Sequence, residues 1–205
     1  MLPVGAPAVA SRLVLQPSAQ KLNASEKLKR DREVLLEAVK KNGRELEHAS
    51  EELKGDKGVV MEAVKQAGSS LQYASEELKG NREVVMEAVK QAGSSLQYAS
   101  EELKGDKGVV MEAVKQSGLA LRLVASEELK GDREVVLEAV KRDGCALQYA
   151  SEELKGDREV VKEAVKQNEG ALEHASEELK GDRDVMLEAV RTAFIMQSKA
   201  ARNVR

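Results

Sequence analysis

The thirteen residues GSSLQYASEELKG at 68–80 recur unchanged at 93–105. Self-similarity at a period of this length restricts the chain to architectures built by stacking one small unit on the next. The unit begins at Asp31 and restarts at Asp56, Asn81, Asp106, Asp132, Asp157 and Asp182, which are 25 residues apart in every step but one of 26. Six full copies (31–55, 56–80, 81–105, 106–131, 132–156, 157–181) are followed by a seventh that supplies only its first helix. The string LNASEKLKR at 22–30 reads as a second half standing before the first copy.

Each unit reads as two helices and a turn. Asp or Asn opens the first helix as an N-cap, its side-chain oxygen accepting from a free backbone N–H of the first turn. Apolar residues such as Val59, Val60, Ala63 and Val64 then fall on one helical face. Lys65 suits the negative end of the helix, and Gly68 is expected to stop it in the left-handed conformation. A short second helix is expected over Ser70 to Ala74, after which Ser75 caps a last turn whose Leu78 points inward. The pairs Glu62–Lys65 and their counterparts, three apart, are expected to meet on the outer face.

A single unit buries too few apolar side chains to order itself, so stability must come from stacking against neighbours. The register Ala38, Ala63, Ala88, Ala113, Ala139, Ala164 and Ala189 is kept small for close approach, and Val39, Val64, Val89, Val114, Val140, Val165 and Val190 accompany it. Aromatic residues make up only 2% of the chain, with no Trp. A large core built on rings is thereby excluded, and Val, Leu, Ala and Met are left to form it.

The wording ASEELKGDREVVLEAVK at 125–141 resembles the short helical repeat of a domain-of-unknown-function family, forty-one sixteen. The likeness spans about residues 20 to 191. It implies tandem all-α arrays and a source among protists or algae, and it carries over no catalytic residue. Departures from the pattern are the extra residue in LALRLVAS (119–126), Lys162 where other copies have Leu or Met, and Gly170, one place later than the usual helix-ending Gly. Irregular stacking is expected near copies four and six.

Chemistry is sparsely represented. The only histidines, His48 and His174, occupy the slot of Tyr73, Tyr98 and Tyr149, where a ring stacked between units accounts for them without metal or catalysis. Cys145 stands in a slot that also holds Arg44, Ser69, Ser94, Leu119 and Gly170, so a surface position is expected, with neither a disulfide nor a catalytic thiolate. No glycine-rich phosphate loop is present. Net charge is −3 with both signs interleaved, which argues against nucleic acid. Met61, Met86 and Met111 share a register that reads as core. No run of apolar residues reaches membrane-spanning length.

The reading is an all-α solenoid of about seven helix pairs, with no catalytic, cofactor-binding or metal-binding residues. Residues 1–21 form a Pro-containing arm without Asp or Glu, a candidate organellar targeting segment for an otherwise intracellular, soluble or peripheral protein. Residues 22–191 form the array, and 192–205 a helix end and basic tail. The expected function is a non-enzymatic scaffold, an accessory subunit of a larger protein assembly, with a free peptide-binding adaptor as the alternative. Candidate contact residues are Leu13, Val14 and Leu15 in the arm, Leu119 and Lys162 on the repeat surface, and Phe194, Ile195 and Met196 at the apolar C-terminal end.

Overall fold

The structure, a computed structural model, describes Lys27 and residues 31–203. Its elements run α1 (31–41), η1 (Gly43–His48), α2 (Glu51–Lys54), α3 (Lys57–Gln66), η2 (Gly68–Tyr73), α4 (Glu76–Lys79), α5 (Arg82–Gln91), η3 (Gly93–Tyr98), α6 (Glu101–Lys104) and α7 (Lys107–Gln116). They continue with η4 (Gly118–Leu123), α8 (Glu127–Lys130), α9 (Arg133–Arg142), η5 (Gly144–Tyr149), α10 (Glu152–Lys155), α11 (Arg158–Gln167), η6 (Glu169–His174), α12 (Glu177–Lys180) and α13 (Arg183–Asn203). Each η element is a 3-10 helix. The expected short second helix is therefore two pieces, a 3-10 segment and one α-helical turn, joined by an extended Ala-Ser step at, for example, Ala74 and Ser75.

Contacts run between consecutive units: α3 to α5, α5 to α7, and onward to α13, with the 3-10 segments forming a parallel file. The chain is an all-α solenoid. Its core lies between the two files, where Val59, Val60, Ala63 and Val64 of α3 and Leu71 of η2 are fully buried, and the same positions repeat along the array.

Two devices tie each unit to the next. The Asp that caps a first helix also takes a cation from the unit before it: Asp56 accepts from the Val59 amide at 3.0 Å and from Arg32 Nε at 2.7 Å. The arrangement repeats as Arg82–Asp106, Lys107–Asp132, Arg133–Asp157 and Arg158–Asp182. Where Asn81 replaces Asp the cap survives, and Lys57 turns instead to Glu83 two residues on. The second tie is backbone: the Ser75 amide donates to the Lys54 carbonyl at 3.0 Å, and Ser100, Ser151 and Ser176 repeat it.

That second tie explains why the extra residue in copy four leaves the stack regular. Ala125, one place before the capping Ser126, donates to the Lys104 carbonyl at 3.2 Å, while Val124 takes the buried place of Ala99. The insertion is absorbed between η4 and α8. Copy six differs more: Leu172 is only half-buried although its equivalents Leu71, Leu96, Leu121 and Leu147 are fully buried. No further 3-10 segment lies over it among the described residues, because α13 continues as one helix where earlier units turn.

The role expected for the helix-ending glycines is corrected. Gly68 does not adopt the left-handed conformation; the helix is stopped by Ala67, extended at φ −150° and ψ 109°. Glycine is required for space, since a Cβ at Gly43, Gly68, Gly93, Gly118 or Gly144 would collide with the carbonyl oxygen of the small-register Ala in the next unit. The expected Glu62–Lys65 type of pair is found, among the described residues, only at Glu163–Lys166 and Glu188–Arg191. The short helices carry it instead, as in Glu76–Lys79 at 2.8 Å.

Candidate functional site

The polar side chains that sequence reading weighed for chemistry are spread along the solenoid. His48 is exposed and His174 half-buried. In the same slot Tyr73, Tyr98, Leu123 and Tyr149 pack against the core from outside. Glu47 of the preceding unit, acting on the Tyr73 hydroxyl, pushes its pKa up, and burial adds to the effect. Cys145 is half-buried, with Asn168 Nδ2 3.1 Å from its Sγ. Burial, with the nearby Asp143 charge, pushes the thiol up, opposite to what a reactive thiolate requires. Among the described residues no group of three or more His, Cys, Asp or Glu is placed to hold a metal ion.

Shallow grooves repeat between neighbouring first helices. One of about 500 Å³ lies along α3 and α5, walled by Met61 and Met86 with Lys65, Arg82, Glu87 and Lys90 at its edges. These methionines, read as core, are half-buried: they pack on the core and also face the groove. Lys162 lines the corresponding groove of about 360 Å³ along α9 and α11, together with Leu137, Lys141 and Glu159. Leu119, 41% exposed, belongs to a third hollow on the 3-10 file with Arg122, Leu123 and Tyr149. Lys162 and Leu119 thus occupy different faces and form no common site.

Among the described residues, most of the exposed large apolar side chains lie at the end of the array. Phe194 is 71% exposed on α13, and Met186, Leu187 and Val190 are exposed on the same side, since positions 186, 190 and 194 recur every fourth residue. Ile195 and Met196 are exposed but point to other sides of the helix by the same periodicity. The opposite face, Val185 and Ala189, is buried toward α11 together with Thr192. Sequence reading missed Met186, Leu187 and Val190. The available signal was their register: Met186 and Val190 are equivalent to the fully buried Val161 and Val165, and among the described residues no further unit packs on them.

At the other end Val34, equivalent to the fully buried Val59, is 66% exposed. It borders a hollow of about 390 Å³ with Leu35, Ala38, His48 and Leu53. Leu13, Val14 and Leu15, with the rest of the arm, lie outside the described residues. No helix among the described residues is long and apolar enough to cross a membrane.

The comparison with protein families agrees with the repeat. The family model described as "Domain of unknown function (DUF4116)" matches residues 22–54, 56–104, 81–124, 106–155 and 157–196, well over half of the chain. No curated protein and no solved structure matches.

Proposed function

The chain belongs to the DUF4116 family of helical repeats, and we propose that it serves as a non-enzymatic scaffold, an accessory subunit held in a larger protein assembly. The observation that carries this reading is the apolar stripe of Met186, Leu187, Val190 and Phe194 at the open end of the solenoid. Interior units bury completely the valines equivalent to Met186 and Val190, Val161 and Val165, which supports a protein-covered surface at those two positions, with Leu187 and Phe194 beside them. The raised thiol of Cys145 and the separation of His48 from His174 along the array support a role without chemistry.

The grooves between first helices support a second reading, a free adaptor that binds peptides. Methionine walls adapt to varied apolar side chains, and the lysines and glutamates at the groove edges can pair with charges on a bound segment. Native extracts separated by size, with this chain followed by mass spectrometry, discriminate between the readings. Migration within a larger complex supports the accessory subunit and names its neighbours, while migration at the mass of one chain favours the adaptor.

A further inference from the structure

The two ends of the solenoid are complementary halves of the junction that repeats inside it. An interior junction has three parts: a cation at the second position of one unit, a carboxylate at the first or third position of the next, and apolar faces of two first helices between them. Arg158 with Asp182 at 3.0 Å and Asp184 at 2.8 Å, beside the packing of α11 on α13, is the last such junction. Arg183 stands at the next cation position. Among the described residues it has no ion pair, whereas its equivalents Arg32, Lys57, Arg82, Lys107, Arg133 and Arg158 are all paired.

At the opposite end Asp31 and Glu33 stand at the acid positions, and among the described residues neither forms an ion pair. The apolar parts match in the same sense. Val34 holds the register of Val59 and Val185, the side of a first helix that faces the preceding unit. Met186 and Val190 hold the registers of Val161 and Val165, which stay covered while another unit follows. Among the described residues, one end therefore offers a cation beside an exposed following face, and the other offers acids beside an exposed preceding face.

We propose that the occupant of the C-terminal face is the N-terminal face of a second copy of this chain. Helix α1 of the second copy packs on α13 as α13 packs on α11, with Arg183 reaching Asp31 and Glu33 of that copy. This inference rests on the reading of the C-terminal end as a protein-binding surface and names its partner. The contact is heterologous, so each added copy leaves one end of each kind open and the array extends head to tail.

The test is light scattering on the purified full-length chain across a wide range of concentration, with Val34→Glu and Val190→Glu as variants. Both side chains are well exposed, so each variant is expected to keep the circular dichroism of the parent. The parent should rise in mass with concentration through multiples of one chain. Each variant alone should stay at one chain, and an equimolar mixture of the two should form a dimer and go no further, because each retains the end that the other lacks.

A parent that stays at one chain throughout overturns the proposal. So does a Val34→Glu chain that associates like the parent, which would mean that the C-terminal faces pair with each other. If the purified parent is single but migrates with other proteins in extracts, self-association fails and the scaffold reading stands. If it is single in both, both fail.

Discussion

Gly68 packs so closely against the carbonyl oxygen of Ala88, one unit further along, that a methyl group at Gly68 would strike it, and would lie 2.7 Å from Ser95 Oγ as well. The spacing between 3-10 segment and following helix is thus set by two small residues in different units. Gly68→Ala is expected to destabilise the array by about 1–3 kcal/mol, the usual range for overpacking. Gly80→Ala, whose added carbon meets nothing closer than 3.4 Å on a right-handed helical backbone, should change stability by less than about 1 kcal/mol. Chemical denaturation of the two variants checks the contrast.

Ser70 and Ser95 are fully enclosed, and neither hydroxyl has a hydrogen-bond partner. Alanine fills the same buried slot at Ala120, Ala146 and Ala171. Replacing either serine with alanine removes an unsatisfied buried polar group, and stability should rise by about 1 kcal/mol. Denaturant midpoints measure it; a loss of that size would show that the hydroxyls are satisfied in solution.

Acid should loosen the junctions together. Arg32 holds Asp56 below the ordinary carboxyl value of 3.8, the amide of Val109 does so for Asp106, and Lys107 does so for Asp132. Lys107 is itself pushed up to about 12 by its hydrogen bonds to Asp132 and then Glu134. At Asp157 burial opposes the shift, but the Val160 amide and Arg133 prevail; at Asp182 the Val185 amide leads. A carboxyl depressed in the folded chain gives up protons more readily there than in the unfolded chain, so its stabilisation is complete above the ordinary carboxyl range. It is lost as pH falls through the lowered folded values. Stability followed by circular dichroism should hold level above the carboxyl range and decline below it, and Asp132→Asn should weaken that decline while keeping the helix cap, as Asn81 does naturally.

Burial of the leucine register should depend on position in the array. Leu96 is fully enclosed, and Leu96→Ala is expected to cost about 2–5 kcal/mol. Leu172 is half-buried, so Leu172→Ala should cost less. Equal costs would mean that copy six is covered in solution as the interior copies are.

Much of the fold was legible because its causes are local. Asp caps, the Val-Val-x-x-Ala-Val stripe and the Ser-Glu-Glu-Leu turn each specify their own helix, and the period specifies stacking. The 3-10 geometry of GSSLQY was not legible, since six residues are too few to separate a period of 3.0 from 3.6. The cation ladder was hidden because Arg133 and Asp157 read singly as ordinary surface charges 24 residues apart. Of the C-terminal site, Phe194 was found by its composition. Met186 and Val190 were not, because whether such residues are core depends on a neighbouring unit and not on their own sequence.

The apolar end is the centre of the functional account, and one paired measurement addresses it most directly. The parent chain and Phe194→Asp are produced in the native cell and their extracts separated by size side by side, with helicity of the purified chains as control. The account predicts unchanged helicity, the parent within a larger assembly and the variant released from it. Co-migration of the two, in an assembly or as single chains, would contradict it.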